Sequence, residues 1–377
     1  MTPADERGAI GFAEKVLELL DEGRYTATYK YAVLLALIDV CLERTEASGA
    51  PTSVTTRQLA EKVVQLYWPH TVPFVGRTVA ILKQNVTGQA EIISAIARFR
   101  ERHTPDPSVP LWQSRMAAPK AFERLVRFVE WKLIEMPLPR LQVMGQTPSE
   151  FIYRIGWDPR VTRSVVARWQ DGNLGVFNNH LLLMQGVGEF LLQLSGLLRP
   201  LIQRRWAAMV ADLNGLEESR LDAFLFGCVR VPTTKVRAGL WEIQGRRCFY
   251  CEARLHDPSK GQVDHFLPWS RYPDDGLDNL VVADGKCNGW KSSSLAAAEH
   301  VAHWARRLKE AASEHAQLGE LAKRTSWDRS AERSRSAARA IYLRLPADAR
   351  LWVRGKEFVA PDAAVIQNAL AENGLYG

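Results

Sequence analysis

The segment that most limits how this chain can fold holds three of its five cysteines and four short motifs in fixed order. Cys248-Phe249-Tyr250-Cys251 comes first, followed by Val263-Asp264-His265-Phe266-Leu267-Pro268, then Leu277-Asp278-Asn279-Leu280-Val281. Cys287-Asn288-Gly289-Trp290-Lys291-Ser292 closes the series. Residues 262–267 are a β-branched and aromatic run ended by Pro268, which predicts a strand. Pro273, Asp274, Asp275 and Gly276 make 271–277 a turn-rich loop. A second short strand is predicted over 279–282, and a helix over 285–299 whose first turn carries Cys287, Asn288 and Lys291. The order is strand, loop, strand, helix, with cysteines on two sides of the hairpin as a clamp would require. An odd number of cysteines in a long chain argues against a disulfide framework. Cys41 and Cys228 lie in apolar patterns and read as small buried hydrophobes.

The rest of the chain predicts helix. Apolar residues recur at three- and four-residue spacing over 10–20 and 29–42. Thr55-x-x-Gln58 is a capping box opening a helix with Leu59, Val63, Leu66 and Tyr67 on one face, ended by Pro69. Further helices are expected over 79–99, 121–134 and 190–213, the last bent at Pro200. The pair 29–42 and 55–66 fits a helix-turn-helix or two members of a bundle. The expected fold class is mainly α with a small α+β insertion. Its divisions are a helical recognition or regulatory domain over 1–235, the motif-bearing unit over 236–300 and a basic helical tail over 301–377.

Charge points towards a polyanion. The chain carries a formal +7 and a pI of about 9.2. Within 301–357 there are thirteen Lys or Arg against seven Asp or Glu. Trp304 and Trp327 interleave with these cations, among them Arg333, Arg335 and Arg339, a composition suited to phosphate-backbone contact. The acidic N-terminus has no basic-then-apolar export layout, and the longest apolar stretch is interrupted by Gln185, Glu189 and Gln193. A cytoplasmic location and no membrane segment are therefore expected.

The motifs together suit phosphodiester hydrolysis, which needs a divalent metal, a base for water and a brace for that base. Where a strand end enters a loop, the Asp264 carboxylate can face a metal while the His265 imidazole faces water. A helix across the hairpin would bring Asn288 towards Asp264 and complete a hard-oxygen Mg²⁺ or Mn²⁺ site. At these residues the sequence resembles the HNH endonuclease family. That family's pattern is Cys-x-x-Cys, Asp-His with Pro three residues on, Asn-Leu, and Cys-x-x-Cys-(His/Asn)-x-x-Lys. Asp264, His265, Pro268, Asn279, Leu280, Cys287, Asn288 and Lys291 stand in register with it. The resemblance implies a ββα-metal nuclease unit in which His265 is the general base, Asp264 and Asn288 are metal ligands, and Asn279 braces the His265 loop. Lys291, Arg333, Arg335 and Arg339 would contact nucleic acid.

One position departs from that pattern. The second Cys-x-x-Cys would begin at residue 284, which is Asp284. Either Cys248, Cys251, Cys287 and Asp284 hold structural zinc, or His256 replaces the aspartate, or the site holds no metal. The expected function is metal-dependent DNA cleavage in phage defence or restriction, with DNA and other defence-system components as partners. The alternatives are a non-cleaving, zinc-stabilised DNA-binding module and an RNA-directed nuclease of the same fold.

Overall fold

A computed structural model describes residues 3–22, 26–75, 79–144, 147–173, 175, 177–218, 221–227 and 233–371, so Cys228 lies outside the described residues. The chain is mainly helical with small antiparallel sheets. It divides into two compact units, one of residues 1–41 and 50–229, the other of 42–49 and 230–377. The 301–377 segment clusters with the motif-bearing segment in the second.

In the first unit the helix Tyr29–Glu43 is buried on every side from Tyr31 to Leu42, as its apolar composition demands. The Thr55 capping box forms as its sequence dictates: Gln58 N–H donates to Thr55 Oγ1 at 3.2 Å, and Thr55 N–H to Gln58 Oε1 at 2.9 Å. The helix it opens, Thr56–Tyr67, packs on Pro119–Glu135. Between Tyr29–Glu43 and Thr56–Tyr67 runs the strand Ser53–Thr55, which pairs with His180–Leu183. A helix-turn-helix needs a tight turn at that place, and the strand occupies it instead.

Two helix expectations are corrected. The 79–99 segment is helical only from Glu91, because Val79–Ala80 pairs with Phe74–Val75 and Gln84 is drawn into the core. There Gln84 Oε1 accepts from Thr28 Oγ1 at 2.8 Å and from Trp206 Nε1 at 2.7 Å. The 190–213 segment breaks at Leu194, not at Pro200, which lies inside the helix Ser195–Asn214. At the break Ser195 Oγ donates to Leu192 O at 2.8 Å and satisfies a carbonyl that the helix end leaves open.

The second unit is built round the hairpin Gly261–His265 and Leu280–Asp284, antiparallel with Asp264 opposite Val281 and His265 opposite Leu280. The helix Gly285–Lys291 follows at once. It ends eight residues before the expected Glu299 because Ser292 turns left-handed, at φ +48°. The chain then extends so that Ala297 N–H and Trp352 O bond at 2.8 Å, as do Trp352 N–H and Leu295 O. Helices Ala298–Arg307, Ser313–Thr325 and Ala331–Tyr342 and the hairpin Leu351–Arg354 with Glu357–Val359 complete the unit.

Candidate active site

His265 is the last residue of its strand, where the hairpin opens into the 266–279 loop. Its Nε2 lies 2.8 Å from Asp275 Oδ1. An ionised carboxylate can only accept, so Nε2 is the donor in this bond. The edge of Trp269 lies against the ring, with centroids 5.4 Å apart. Asp275, absent from the sequence-based set, is thus the group that orients His265; its only sequence signal is an acid in the turn after the strand.

Asp264 points to the other face of the strand, under the Gly285–Lys291 helix. Its Oδ2 accepts from Tyr250 Oη at 2.6 Å and pairs with Lys291 Nζ at 3.0 Å. Lys291 also donates to His265 O at 2.9 Å and is fully buried. Closed off from solvent rather than set on the surface where nucleic acid was expected to meet it, Lys291 balances the Asp264 charge and ties helix to strand. Asn288, on the same helix, donates from Nδ2 to Gln262 Oε1 at 2.7 Å, not to Asp264. Gln262 and Asp264 alternate onto one face of the strand. The oxygens Asp264 Oδ1 and Asn288 Oδ1 carry no hydrogen bond among the described residues, which suits a hard cation on that face.

Asn279 is fully buried and clips the loop shut. Its Oδ1 accepts from Leu267 N–H at 2.8 Å, while Nδ2 donates to Leu267 O at 3.2 Å and Asp274 O at 3.1 Å. These bonds tie the chain just after His265 to the chain just before Asp275. Arginines of the 301–357 segment hold the same loop. Arg329 grips Asp278 through both carboxylate oxygens, and Arg307 donates to Asp278 O and Leu280 O.

The structure places the arginines expected to meet nucleic acid in ion pairs and hydrogen bonds within the unit. Arg333 bonds Asp274 at 3.1 Å and Asp328 at 2.6 Å and lies 4.0 Å from Glu43. Burial opposes its charge, but Asp274, Tyr272, Asp328 and Glu43 outweigh burial and stabilise the cation. Arg335 pairs with Glu332 and donates to Leu308 O, and the fully buried Arg339 pairs with Glu332 and donates to Leu370 O. Part of the positive charge of this segment, at Arg307, Arg329, Arg333, Arg335 and Arg339, is therefore taken up by contacts within the unit. Arg271, Lys286 and Trp290, which flank the site residues in sequence, are exposed.

Beyond the far end of the hairpin the ligand atoms of Cys248, Cys251, Asp284 and Cys287 all lie within 4.8 Å of one another, a group that can hold a metal ion. Exposed His256 is not part of it. Asp284 also caps the following helix, its Oδ1 accepting from Lys286 and Cys287 N–H groups. The Cys251 thiol donates to Asp284 Oδ2 at 3.2 Å, and Asp284 N–H to Cys248 Sγ at 3.3 Å. Burial, and then the crowding of thiols and carboxylate, pushes the Cys287 thiol well up, and burial lifts Cys248 to about 11. A cation is what would offset that clustering.

A hairpin carrying Asp-His at its mouth, a short helix carrying Asn288 and a Cys-rich clamp define the class: residues 248–297 match the HNH endonuclease family. Over 61 residues the chain is 38% identical to Septu protein PtuB of Bacillus thuringiensis, covering 15% of this chain and 24% of that protein. The chain thus spans about a quarter of the length of the curated relative it matches. No solved structure matches it. Among the described residues no helix is long and apolar enough to cross a membrane.

Proposed function

We propose that the chain is a divalent-metal-dependent endonuclease that hydrolyses DNA phosphodiester bonds through a ββα-metal unit. The observation that carries this reading is the oriented His265–Asp275 pair at the mouth of a hairpin, with Asp264 on the strand's other face and Asn288 on the helix that follows. His265 Nδ1 is the base that takes a proton from the attacking water, and Asp275 holds the ring in the tautomer this requires. Asp264 and Asn288 would hold Mg²⁺ or Mn²⁺, which supplies charge neutralisation at the scissile phosphate and the departing 3′ oxygen. Asn279 keeps the loop at a fixed distance from the strand. Products carry 5′-phosphate and 3′-hydroxyl ends. One such site cuts one strand, so a double-strand break takes two protomers or two visits. Zinc at Cys248, Cys251, Asp284 and Cys287 would clamp the chain before the hairpin to the helix after it. Arg271, Lys286 and Trp290 are the contacts that take the place of the tail arginines. The likeness to a Septu protein supports a place in phage defence beside other components.

Nicking of supercoiled plasmid by purified protein with Mg²⁺, with Mn²⁺ and with EDTA tests the reading. Cleavage should require metal and vanish in His265→Ala while DNA binding persists; metal-independent cleavage, or full activity in His265→Ala, sinks it. A second reading, a non-cleaving DNA-binding module, draws on the Lys291–Asp264 pair, which neutralises one oxygen of the expected metal ligand. It predicts DNA binding with no nicking at any metal concentration. RNA and DNA supplied side by side separate the RNA-directed alternative.

A further inference from the structure

Tyr250 stands between Cys248 and Cys251 in the chain, yet its hydroxyl reaches the hairpin, where Oη donates to Asp264 Oδ2 at 2.6 Å. An ionised carboxylate can only accept, so the phenol is the donor, and the separation is that of a charge-assisted O–H···O⁻ bond. The residue is only 7% exposed. The rings of Phe249, His300 and Trp352 meet it edge-on, with centroids 5.1, 5.3 and 5.1 Å away. Two of these walls are anchored in turn. His300 Nε2 lies 2.8 Å from Val353 O, and the fully buried Trp352 is bonded through its backbone to Leu295 and Ala297. Walled in this way, the hydroxyl is held at one place.

The consequence follows from the freedom of an aspartate side chain. Its terminal torsion is soft and nearly two-fold, so a carboxylate that nothing holds presents either oxygen to a cation, or both at once. Here both donors fall on one oxygen. Oδ2 takes the Tyr250 hydroxyl at 2.6 Å and the Lys291 ammonium at 3.0 Å, while Oδ1 has no hydrogen bond among the described residues. Lys291 supplies charge, but its ammonium is a point charge with three donors on a flexible stem, and it is shared with His265 O at 2.9 Å. The tyrosine has a rigid ring and one proton, and it gives the carboxylate its direction.

We propose that Tyr250 is a positioning residue for the divalent metal of the nuclease site: by holding Asp264 Oδ2 it leaves Oδ1 as the single oxygen offered to the cation, and so sets the affinity for Mg²⁺ or Mn²⁺. The inference rests on the reading of Asp264 as a metal ligand. Tyr250 touches neither substrate nor cation and acts through the carboxylate alone. The segment between the two cysteines thereby serves the hairpin as well as the Cys-rich clamp.

The test measures Mn²⁺ binding to the full-length protein without DNA, from the electron paramagnetic resonance signal of the free ion, with Asp264→Ala run alongside. Tyr250→Phe keeps the ring and removes the hydroxyl. It should weaken Mn²⁺ binding about 10- to 100-fold while the melting curve without added metal stays near the parent's. Plasmid nicking by the same variant should recover at high Mn²⁺, a rise in the metal requirement with little change in kcat that general damage to the fold does not produce. Tyr342→Phe removes another buried hydroxyl of this unit, one that accepts from Ala296 N–H at 3.0 Å, and should bind Mn²⁺ as the parent does. Parent-like affinity in Tyr250→Phe, with binding lost in Asp264→Ala, overturns the positioning role and leaves the metal site standing. Binding that survives Asp264→Ala sinks the metal-ligand reading and the inference with it. An equal loss in Tyr342→Phe marks general loosening and also overturns the role. If Tyr250→Phe does not fold, nuclear magnetic resonance of the unmutated, tyrosine-labelled chain decides. Mn²⁺ should broaden a hydroxyl proton protected from exchange, and the absence of any such broadening overturns the inference.

Discussion

Replacing Asp275 by Asn removes one negative charge and almost no volume from beside His265. The imidazole is held by the 2.8 Å bond from Nε2 to Asp275 Oδ1 and by the edge of Trp269. A hydrogen bond to a charged group contributes about 1.5–3 kcal/mol. If that energy is spent on keeping Nδ1 aimed at water, its loss converts to a fall of roughly 10- to 150-fold in the cleavage step, at 1.4 kcal/mol per factor of ten. Removing the base itself with His265→Ala should cost about 10² to 10⁴. Because Asp275 acts only through His265, the double variant should be no slower than His265→Ala alone. The assay is single-turnover nicking at saturating DNA, with DNA affinity and the melting curve measured in parallel. Both should stay near the parent values, since Asn can still donate to or accept from the loop. An Asp275→Asn protein that nicks at the parent rate, or a double variant slower than His265→Ala by the full Asp275 factor, would refute the positioning role.

Elemental analysis should find about one zinc per chain, and Cys251→Ser should lose it and destabilise the second unit; a zinc-free protein that tolerates the substitution refutes the clamp. Reversing Arg333, Arg335 and Arg339 to Glu should lower the melting temperature sharply instead of changing the salt dependence of DNA binding, because Arg339 is fully buried and Arg333 serves three acids. Arg271→Ala with Lys286→Ala should instead flatten the log–log salt slope by about 0.9 for each phosphate left without its cation, with little change in melting. His70 is buried between Gln84 Nε2 and Leu225 O, each 3.1 Å away, and burial lowers its pKa to about 3. The unfolded chain binds that proton near pH 6.5 and the folded chain does not. Stability is therefore full above pH 6.5 and declines as pH falls towards 3. Denaturant titrations at pH 7 and pH 5 should show this decline, and His70→Gln should reduce it; an unchanged slope in the variant places the acid sensitivity elsewhere.

The local chemistry of the site was legible because it is written in neighbouring residues. Thr55 and Gln58 form a capping box from four consecutive positions, and the strand expected over 262–267 forms but ends at His265, short of Pro268. The Cys248, Cys251, Cys287 and Asp284 group follows from spacing about a hairpin, and the structure brings those four ligand atoms together while leaving His256 outside. The brace role of Asn279 was implied by the resemblance alone; its burial and its bonds to Leu267 and Asp274 belong to the tertiary structure.

What the sequence alone determined was the strand–loop–strand–helix order, the family of its motifs and the helical character of the remainder. Partners far along the chain decided the rest. Val79–Ala80 left the helical pattern for a strand partner, and Gln84 left it for Thr28 and Trp206. The helix after the hairpin stopped at Lys291 because Trp352 claimed the chain at Leu295 and Ala297. Charge was the least legible property: in sequence Arg333 and Arg339 read as a phosphate track, whereas the structure pairs them with Asp274, Asp328 and Glu332. A side chain's charge is a property of the residue, but whether that charge faces solvent or an internal acid depends on which distant elements pack against it. Only the tertiary structure contains that information.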